Sequence, residues 1–290
     1  MLVLYEDNHL IVVNKAPGEI VQGDKTGDKP LSETVKDYIR ERYGKPGNVF
    51  LGVVHRLDRP VSGVVLFART SKALARLNAL FADHESVHKT YWAIVANRPE
   101  QAEGTLVHWL TRNEKTNKAA AHDREVPGSK KAVLDYRLLA SSDRYHLLEV
   151  TLHTGRHHQI RCQLAKIGCP IKGDLKYGAP RSNPDGSISL HARSLTLEHP
   201  VTHTTVSVTA PVPDDRLWQH FESYRRRFFG RCSASFCCPF CWRRRSIFRP
   251  FSDGPFRRRR AMLPRPRECR FPSAVWASAS RSTSISTALS

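Results

Sequence analysis

The order of apolar and polar residues divides the first part of the chain into short strands. Two apolar runs, 2–5 and 10–13, flank the polar cluster 6–9, which predicts a pair of strands joined by a tight turn. A third apolar run at 51–54 and a fourth at 64–68 enclose a polar stretch. These two runs predict two further strands with a polar loop between them.

Three other stretches repeat apolar residues at the three- and four-residue spacing of a helix that buries one face. They are the set Leu31, Val35 and Ile39, the set Leu74, Leu77, Leu80 and Phe81, and the set Ile160, Leu164 and Ile167. Gly44 and Gly168 follow the first and the third set, where a glycine favours the end of a helix. The pattern therefore predicts three helices, the second beginning near Ser71.

The later apolar runs have the length and composition of strands. They are 91–95, 133–139, 145–152, 188–197 and 206–209. The turn-forming residues 141–144 separate the second run from the third, which predicts a long hairpin. Hairpins with a few helices between them are typical of an α+β domain.

The positive charge of the chain is concentrated in its last part. Of the formal net charge of +19, residues 223–290 carry +14 through 16 Arg, no Lys and two acidic residues. Residues 1–222 are left with +5, which is compatible with RNA binding but does not require it. The Arg-rich segment has few large aliphatic residues, as disordered chains do. We expect one folded domain at 1–222 and a disordered tail at 223–290, for which a shifted reading frame is one hypothesis.

Neither the cysteines nor the apolar runs indicate export or membrane insertion. Only Cys162 and Cys169 lie in the first 222 residues, which does not suit a disulfide scaffold. Acidic residues follow the short apolar start, so we expect no signal peptide. No apolar run approaches the roughly 18 residues that a membrane helix needs. The expected location is the cytoplasm, without a membrane partner.

The densest group of reactive side chains lies in the segment 52–70, GVVHRLDRPVSGVVLFART. Between its two strand-like runs, a polar loop holds His55, Arg56, Asp58, Arg59 and Ser62. Loops between strands often present reactive groups on a rigid scaffold. From residue types alone, Asp58 fits a surface turn equally well, with its carboxylate accepting hydrogen bonds from the backbone.

This loop and three later segments resemble, in the same order, the motifs of the RluA-like pseudouridine synthases. The loop matches HRLD-x-x-[TS]-S-G except that Val61 stands where Thr is more common. The later segments are K-x-Y-x-A-x-V at 89–95, T-G-R-x-H-Q-I-R at 154–161 and L-H-A at 190–192. Four ordered motifs make the resemblance highly specific, whereas any one of them alone would be moderate.

The resemblance implies a mixed, mostly antiparallel sheet with flanking helices and a central catalytic cleft. It implies that the 1–222 domain isomerises uridine to pseudouridine in structured tRNA or rRNA, with Asp58 as its catalytic residue. Tyr91 matches the family's active-site tyrosine, and Arg161 matches the basic residue that pairs with the aspartate. An arginine near Asp58 would favour its ionised form, and the Tyr91 ring would pack against the flipped base.

Four more residues are expected to touch the RNA. The resemblance implies that Arg56 enters the RNA helix and helps to push the uridine out, next to His55 of the same motif. Arg156 and Gln159 would contact phosphate or sugar. The simpler interpretation of Tyr91 is a core residue, and that of Arg161 is a solvated arginine at the edge of a helix. No cofactor is implied, the expected partner is the RNA substrate, and the expected state is a monomer.

Other functions fit parts of the sequence. His153 and His157 have the spacing of a metal pair, and 232–241 contains a C-x-x-C, but neither has the further ligands of a zinc site, so we predict no metal. A glycosidase-like hydrolase would normally need two positioned carboxylates, and the Asp58 segment supplies one. A non-catalytic RNA-binding protein is the alternative outside the enzymes, and it rests on charge alone.

Overall fold

The computed structural model describes residues 1–24, 26–83 and 86–229, with side chains through Tyr224. Within these residues the chain forms eleven strands, four α-helices and one 3-10 turn. In chain order they are β1 (Leu2–Glu6), β2 (Leu10–Lys15), α1 (Leu31–Tyr43), β3 (Gly52–Val53), β4 (Ser62–Ala68), α2 (Ser71–Ala82), β5 (Val87–Val95), β6 (Glu103–Asn113), β7 (Lys118–His122), β8 (Lys130–Ser141), β9 (His146–Leu152), α3 (Gln159–Lys166), the 3-10 turn (Leu175–Tyr177), β10 (Leu190–Glu198), β11 (Thr205–Thr209) and α4 (Arg216–Phe229).

The strands form one mixed sheet. Its order is β1-β2-β4-β10-β5-β9-β8-β6-β7, while β3 pairs with β4 and β11 pairs with β10 outside this path. The pairs between these strands are antiparallel, except that β4 and β10 run parallel over two residue pairs. From Ser194 onward, β10 pairs with β11 instead of β4. The predicted α+β class with a mixed, mostly antiparallel sheet is confirmed.

The short parallel junction between β4 and β10 depends on Gly63. This residue has a φ of +115°, and a Cβ atom placed on it would overlap the backbone of Ala192 on β10. Only glycine allows this backbone conformation and this close approach together. Beside it, the Ser62 hydroxyl lies 2.9 Å from Nδ1 of the fully buried His191. The S-G and L-H-A motifs therefore meet at the point where the two halves of the sheet join.

Helices cover both faces of the sheet. On β2, Ile11 packs in the apolar cluster that contains α1, and its neighbour Val12 packs in the cluster that contains α2. On β5, Ala93 packs with α3, and Trp92 packs with α4. Because side chains alternate between the faces of a strand, burial on both faces accounts for the continuous apolar runs 10–13 in β2 and 91–95 in β5.

The predicted turns and helix ends in the first half are confirmed. Asp7 joins β1 to β2, and its Oδ1 accepts hydrogen bonds at 2.7 Å from the backbone N–H groups of His9 and Leu10. Gly44 ends α1 in the left-handed conformation with a φ of 55°. The three predicted helices are α1, α2 and α3, and the predicted hairpin is β8 with β9.

Two parts of the described chain were not predicted from the sequence. The hairpin of β6 and β7 adds two strands beyond β8 at the edge of the sheet. Helix α4 buries Trp218 and Phe221 in an apolar cluster that includes Leu147 on β9. This helix crosses the predicted boundary between residues 222 and 223 and ends at Phe229. The rest of the predicted tail lies outside the described residues.

Candidate active site

The loop between β3 and β4 carries Asp58 to the parallel junction. The carbonyl of Asp58 accepts a hydrogen bond of 3.1 Å from the N–H of Val61, which forms a tight turn. The N–H of Ile188, just before β10, donates to the carbonyl of Pro60 at 3.1 Å. Both ends of the turn are therefore fixed, while the Asp58 side chain remains 30% exposed.

Lys15, at the end of β2, holds this loop through hydrogen bonds to its backbone. Its side chain is fully buried, and its ammonium donates to the carbonyl oxygens of Ala16 at 3.0 Å, Arg59 at 3.0 Å and Val61 at 2.6 Å. Burial lowers the pKa of Lys15 to about 8, and the carboxylates of Glu19 and Asp58 oppose that shift. The group therefore remains an ammonium ion at neutral pH and holds the backbone that follows Asp58.

Arg161 on α3 joins Asp58 to a second carboxylate. Its Nη1 donates to Oδ2 of Asp58 at 2.9 Å, while Nε and Nη2 donate to the two oxygens of Asp174 at 2.7 and 2.9 Å. Burial opposes the charge of Arg161, but the hydrogen bonds and charges of Asp174 and Asp58 outweigh it and raise the pKa of the guanidinium. Because Asp174 is 1% exposed, it orients the guanidinium from inside the protein.

His158 is a second partner of Asp58. Its Nε2 lies 3.3 Å from Oδ2 of Asp58, and its Nδ1 lies 2.8 Å from the hydroxyl of Tyr177. Burial lowers the pKa of the imidazole well below its usual range, which the Asp58 carboxylate opposes. His158 therefore remains neutral at physiological pH, and Arg161 is the cationic partner of the aspartate.

Tyr91 lies near the centre of the sheet on β5, between β10 and β9. Its side chain is 9% exposed and reaches the same cavity as Asp58. Burial, and then the negative charge of Asp58, raises the pKa of the phenol. Tyr91 is therefore a neutral, amphipathic ring at the wall of the cavity.

Six of the seven predicted site residues line one cavity of about 90 Å³. They are Arg56, Asp58, Tyr91, Arg156, Gln159 and Arg161. Apolar side chains, among them Val61 and Leu190, complete the wall. An opening with one partly exposed carboxylate, a few polar groups and an apolar wall is typical of a small-molecule pocket.

His55 is the predicted site residue that does not line this cavity. Its Nε2 accepts a hydrogen bond of 3.0 Å from the N–H of Leu66, and its ring stacks on Phe81 at 5.2 Å. Burial lowers the pKa of His55 to about 3, with the charge of Lys89 adding to the shift. The structure therefore gives His55 an inward contact that joins the loop to β4 and α2, in place of an outward position towards RNA.

Gln159 lines the cavity, but its amide is used inside the protein. Its Oε1 accepts hydrogen bonds from the Thr154 hydroxyl at 2.7 Å and the N–H of Arg156 at 3.0 Å. Its Nε2 donates to the carbonyl of Val133 on β8 at 3.0 Å. With 3% exposure, Gln159 ties its own motif to β8, which differs from the predicted contact with phosphate or sugar.

Arg56 and Arg156 are the exposed cations at the cavity. Arg156 donates through Nε to the carbonyl of Lys131 at 3.2 Å, a contact that leaves both terminal nitrogens of the guanidinium for another acceptor. Arg56 is exposed two residues before Asp58. Both arginines are placed to meet an anionic group that approaches the opening.

The histidines with metal-pair spacing have other partners. His153 lies 2.6 Å from a carboxylate oxygen of Asp135, while the His157 ring stacks on His158 at 3.8 Å. Across the described ranges, we find no group of three or more side chains arranged to hold a metal ion. In the same ranges, the helices are too short or too polar to span a membrane.

The sequence profile of the RNA pseudouridylate synthase family matches residues 9–166 of this chain. That is more than half of the chain, and it contains Asp58, Tyr91 and Arg161. The chain belongs to this family. The predicted resemblance to pseudouridine synthases is thereby confirmed, and three of the four motifs lie within the matched residues.

Individual members of the family extend the match to the end of the sheet. An uncharacterised RNA pseudouridine synthase of Synechocystis is 33% identical over 224 residues, which cover 76% of this chain and 66% of the relative. The tRNA pseudouridine synthase C of Vibrio cholerae is 33% identical over 235 residues, covering 75% of this chain and 92% of that one. The structure called human RNA Pseudouridylate Synthase Domain Containing 4 has a TM-score of 0.63 at 25% identity, covering 78% and 93% of the two chains.

Four members of the site were not found from the sequence. Lys15, His158, Asp174 and Tyr177 contact the loop of Asp58 or its partners, as described above. Lys15 ends an otherwise apolar run, and Asp174 and Tyr177 stand between Gly173 and Gly178, which are weak local signals. His158 stands in the T-G-R-x-H-Q-I-R motif, but no role in the site was predicted for it. Its contact with Asp58 depends on the three-dimensional path of the loop before α3.

Proposed function

We propose that this chain isomerises uridine to pseudouridine in structured RNA, with Asp58 as the reacting carboxylate. The observation that carries the proposal is the Arg161–Asp58 hydrogen bond of 2.9 Å at the wall of a cavity that Tyr91 also lines. The uridine would leave its helix and enter this cavity, as bases do in other enzymes that act on them. The substrate is a tRNA or an rRNA.

The charges around Asp58 suit this reaction. The ion-pair network of Asp58, Arg161 and Asp174 contains two carboxylates and one guanidinium, so the three groups together carry one negative charge. Because Asp174 is 1% exposed and Asp58 is 30% exposed, the accessible negative charge is at Asp58. Such a carboxylate acts at the anomeric carbon as a nucleophile or as a base at the sugar while the N-glycosidic bond breaks. The base then rotates and forms a bond from carbon-5 to the sugar, which breaks any bond between Asp58 and the sugar. Carbon-5 releases its proton and N1 takes one up, so that no co-substrate is consumed.

The hydrolase alternative fits the geometry less well. A glycosidase normally places two available carboxylates about 5 to 9.5 Å apart. Among the described residues at this site, the second carboxylate is Asp174, and both of its oxygens accept hydrogen bonds from Arg161. A carboxylate that is held and buried in this way is not free to activate water.

In this proposal, the RNA-facing side of the site is the one that carries the two exposed arginines. Arg56 and Arg156 are exposed at the opening, and their guanidinium groups would contact phosphate or displace the target base. His55 and Gln159 act from inside, by holding the loop of Asp58 and the loop before α3. We further propose that the enzyme acts as a cytoplasmic monomer and that its catalytic unit includes α4.

Release of tritium from carbon-5 of uridine tests the reaction. The wild-type chain, incubated with unmodified tRNA and rRNA transcripts labelled at that carbon, should release label and leave pseudouridine. Asp58→Asn and Asp58→Ala should bind RNA and release no label above background. Release by these variants at the wild-type rate would refute the role of Asp58, and free uracil as the product would favour a hydrolase.

Asp185→Asn is the matched control. Asp185 is an exposed carboxylate whose Oδ1 accepts hydrogen bonds from the N–H and the hydroxyl of Ser187, away from the cavity. This variant should release label at the wild-type rate. A loss equal to that of Asp58→Asn would point to a general effect of removing a carboxylate.

A further inference from the structure

Tyr177 lies behind both partners of Asp58 without contacting Asp58 in a hydrogen bond or ion pair of the described chain. Its hydroxyl is 2.8 Å from Nδ1 of His158, and the Cζ atom of Arg161 lies over its ring at 5.1 Å. The side chain is 8% exposed in the 3-10 turn that follows Asp174. One short segment thus holds both the guanidinium and the imidazole that reach the catalytic loop.

The hydrogen-bond partners of the Tyr177 hydroxyl indicate which ring nitrogen of His158 carries the proton. The N–H of Ala119 donates to this oxygen at 2.8 Å, so one acceptor position is filled. Burial raises the pKa of the phenol to about 12, so the hydroxyl keeps its own proton. The nitrogen at hydrogen-bond distance from that proton is Nδ1 of His158. A neutral imidazole has one N–H, so accepting at Nδ1 leaves the proton on Nε2.

The position of Asp58 favours the same tautomer. Nε2 of His158 is 3.3 Å from Oδ2 of Asp58. A proton on Nε2 places the positive side of the ring at ion-pair distance from a carboxylate oxygen, which is a favourable electrostatic contact. In the other tautomer, a lone pair of the imidazole would face the lone pairs of the carboxylate. The contacts at the two ends of the ring therefore select one arrangement.

We propose that Tyr177 is a positioning residue that fixes His158 as the Nε2–H tautomer, so that this N–H lies beside Oδ2 of Asp58, the oxygen to which Arg161 donates. This inference rests on the proposed function in one respect, namely that Asp58 is the reacting carboxylate. Because Oδ2 accepts from Arg161 and also has His158 Nε2 3.3 Å away, Oδ1 is the oxygen left to react with the sugar. The two oxygens of the Asp58 carboxylate thus have different roles, since Oδ2 is held by its partners and Oδ1 is available to the sugar.

The backbone of His158 supports a special role for this residue. His158 has a φ of 52° in the left-handed region, immediately before α3. Residues with a Cβ rarely adopt this conformation, and the cases that persist in folded proteins are concentrated at functional sites. The fold maintains it at a residue whose ring reaches Asp58.

The first experiment reads the tautomer directly. The full chain is labelled with ¹⁵N-histidine, and the ring nitrogens of His158 are identified by their loss in His158→Gln. In the wild type, Nε2 should carry the proton and Nδ1 should show the shift of an unprotonated acceptor. Tyr177→Phe keeps the ring under Arg161 but removes the hydroxyl, and it should shift His158 to a mixture of tautomers. A wild-type proton on Nδ1, or a tautomer that Tyr177→Phe leaves unchanged, would overturn the proposal.

The second experiment measures isomerisation of the labelled transcripts. Tyr177→Phe should lower kcat about tenfold, the usual effect of one lost hydrogen bond on a barrier, while the KM for RNA stays near the wild-type value. In His158→Gln, the glutamine amide replaces the Nε2–H donor and needs no phenol to orient a proton. Adding Tyr177→Phe to His158→Gln should therefore change kcat little, which is a non-additive result. If Tyr177→Phe lowered kcat equally in the wild type and in His158→Gln, Tyr177 would have a merely structural role.

Tyr136→Phe is the matched control because Tyr136 is also 8% exposed but lies on β8, outside the network. It should leave the His158 tautomer and kcat unchanged, and a tenfold loss here would mean that any buried tyrosine gives the effect. If the wild type released no label from any transcript, the proposed function would fail. The ¹⁵N measurement would still decide the tautomer independently.

Discussion

The Arg161–Asp174 pair predicts a large loss of stability when its buried carboxylate is neutralised. In Asp174→Asn, the shape of the side chain is kept, but the negative charge and one of two acceptor oxygens are lost. The two hydrogen bonds measure 2.7 and 2.9 Å, and the side chains are 6% and 1% exposed, so water cannot replace the lost oxygen. Removing one partner of a buried pair typically costs about 3 to 5 kcal/mol.

The expected loss lies at the lower end of that range. The remaining amide oxygen still accepts one hydrogen bond, and Arg161 keeps its 2.9 Å bond to Asp58. We therefore expect the free energy of unfolding to fall by about 3 kcal/mol. Urea denaturation followed by circular dichroism measures this change. The rate of label release should fall as well, on the order of a hundredfold, because Arg161 no longer holds Asp58 in its position.

Asp185→Asn is again the control, since it makes the same chemical change at an exposed site in the same part of the chain. It should cost less than about 1 kcal/mol. If Asp174→Asn unfolded at the urea midpoint of Asp185→Asn, the reasoning on the buried pair would be refuted. If stability fell as expected but the rate of label release did not change, the positioning of Arg161 by Asp174 would be refuted instead.

Three other perturbations test the junction, a buried histidine and the end of the catalytic unit. Gly63→Ala should lower the free energy of unfolding by more than about 4 kcal/mol, because its Cβ would overlap the backbone of Ala192. His191→Asn should make stability less sensitive to acid, by about 2 kcal/mol between pH 7 and pH 5, as urea titrations at both pH values would show. A chain that ends at Phe229 should keep the unfolding temperature and label release of the full chain, and loss of folding would place the boundary further on.

The sign of the pH effect follows from the burial of His191. Burial lowers the pKa of this fully buried side chain to about 4, against about 6.5 in an unfolded chain. The stability that it contributes is therefore complete above about pH 6.5 and is lost as the pH falls towards 4, since the unfolded chain binds the proton first. His88→Asn, at an exposed position on β5, should leave the pH dependence unchanged. An unchanged pH dependence in His191→Asn would contradict this account.

Gly128→Ala is the control for Gly63→Ala, because it introduces backbone strain without an overlap between the added Cβ and other atoms. Gly128 has a φ of +75°, but a Cβ placed on it would meet no atom within 4 Å. Its replacement should cost only about 1 to 2 kcal/mol, which is the strain of the left-handed conformation. Equal losses for the two glycine variants would show that the close approach at the junction is unimportant.

Local pattern predicted the elements that carry the site. The apolar spacing of α1, α2 and α3 and the apolar runs of β2 and β4 depend on neighbours a few residues apart, so they are visible in the sequence. The β6–β7 hairpin and α4 were missed. Helix α4 bears only a few buried side chains, among them Trp218 and Phe221, and they become recognisable as core when β5 and β9 lie beneath them. Without that partner the same residues look like part of a polar C-terminal segment.

For the site, the sequence by itself determined the family, the motif order and the residues Asp58, Tyr91 and Arg161 as candidates. Tertiary structure decided which side chains face the cavity and which face inward. His55 and Gln159 belong to the same motifs, yet their polar atoms bind the backbone of Leu66 and Val133. The physical reason is that burial and hydrogen-bond partners are set by chain segments far apart in sequence.

The clearest case is the environment of Asp58. Arg161 is 103 residues away along the chain, and it is oriented by Asp174, whose place just before a 3-10 turn no periodic pattern predicts. Sequence motifs specify that an aspartate and an arginine are present in the right order. The direction of each hydrogen bond, and with it which oxygen of the carboxylate remains free, arises only when β4, β10 and α3 come together.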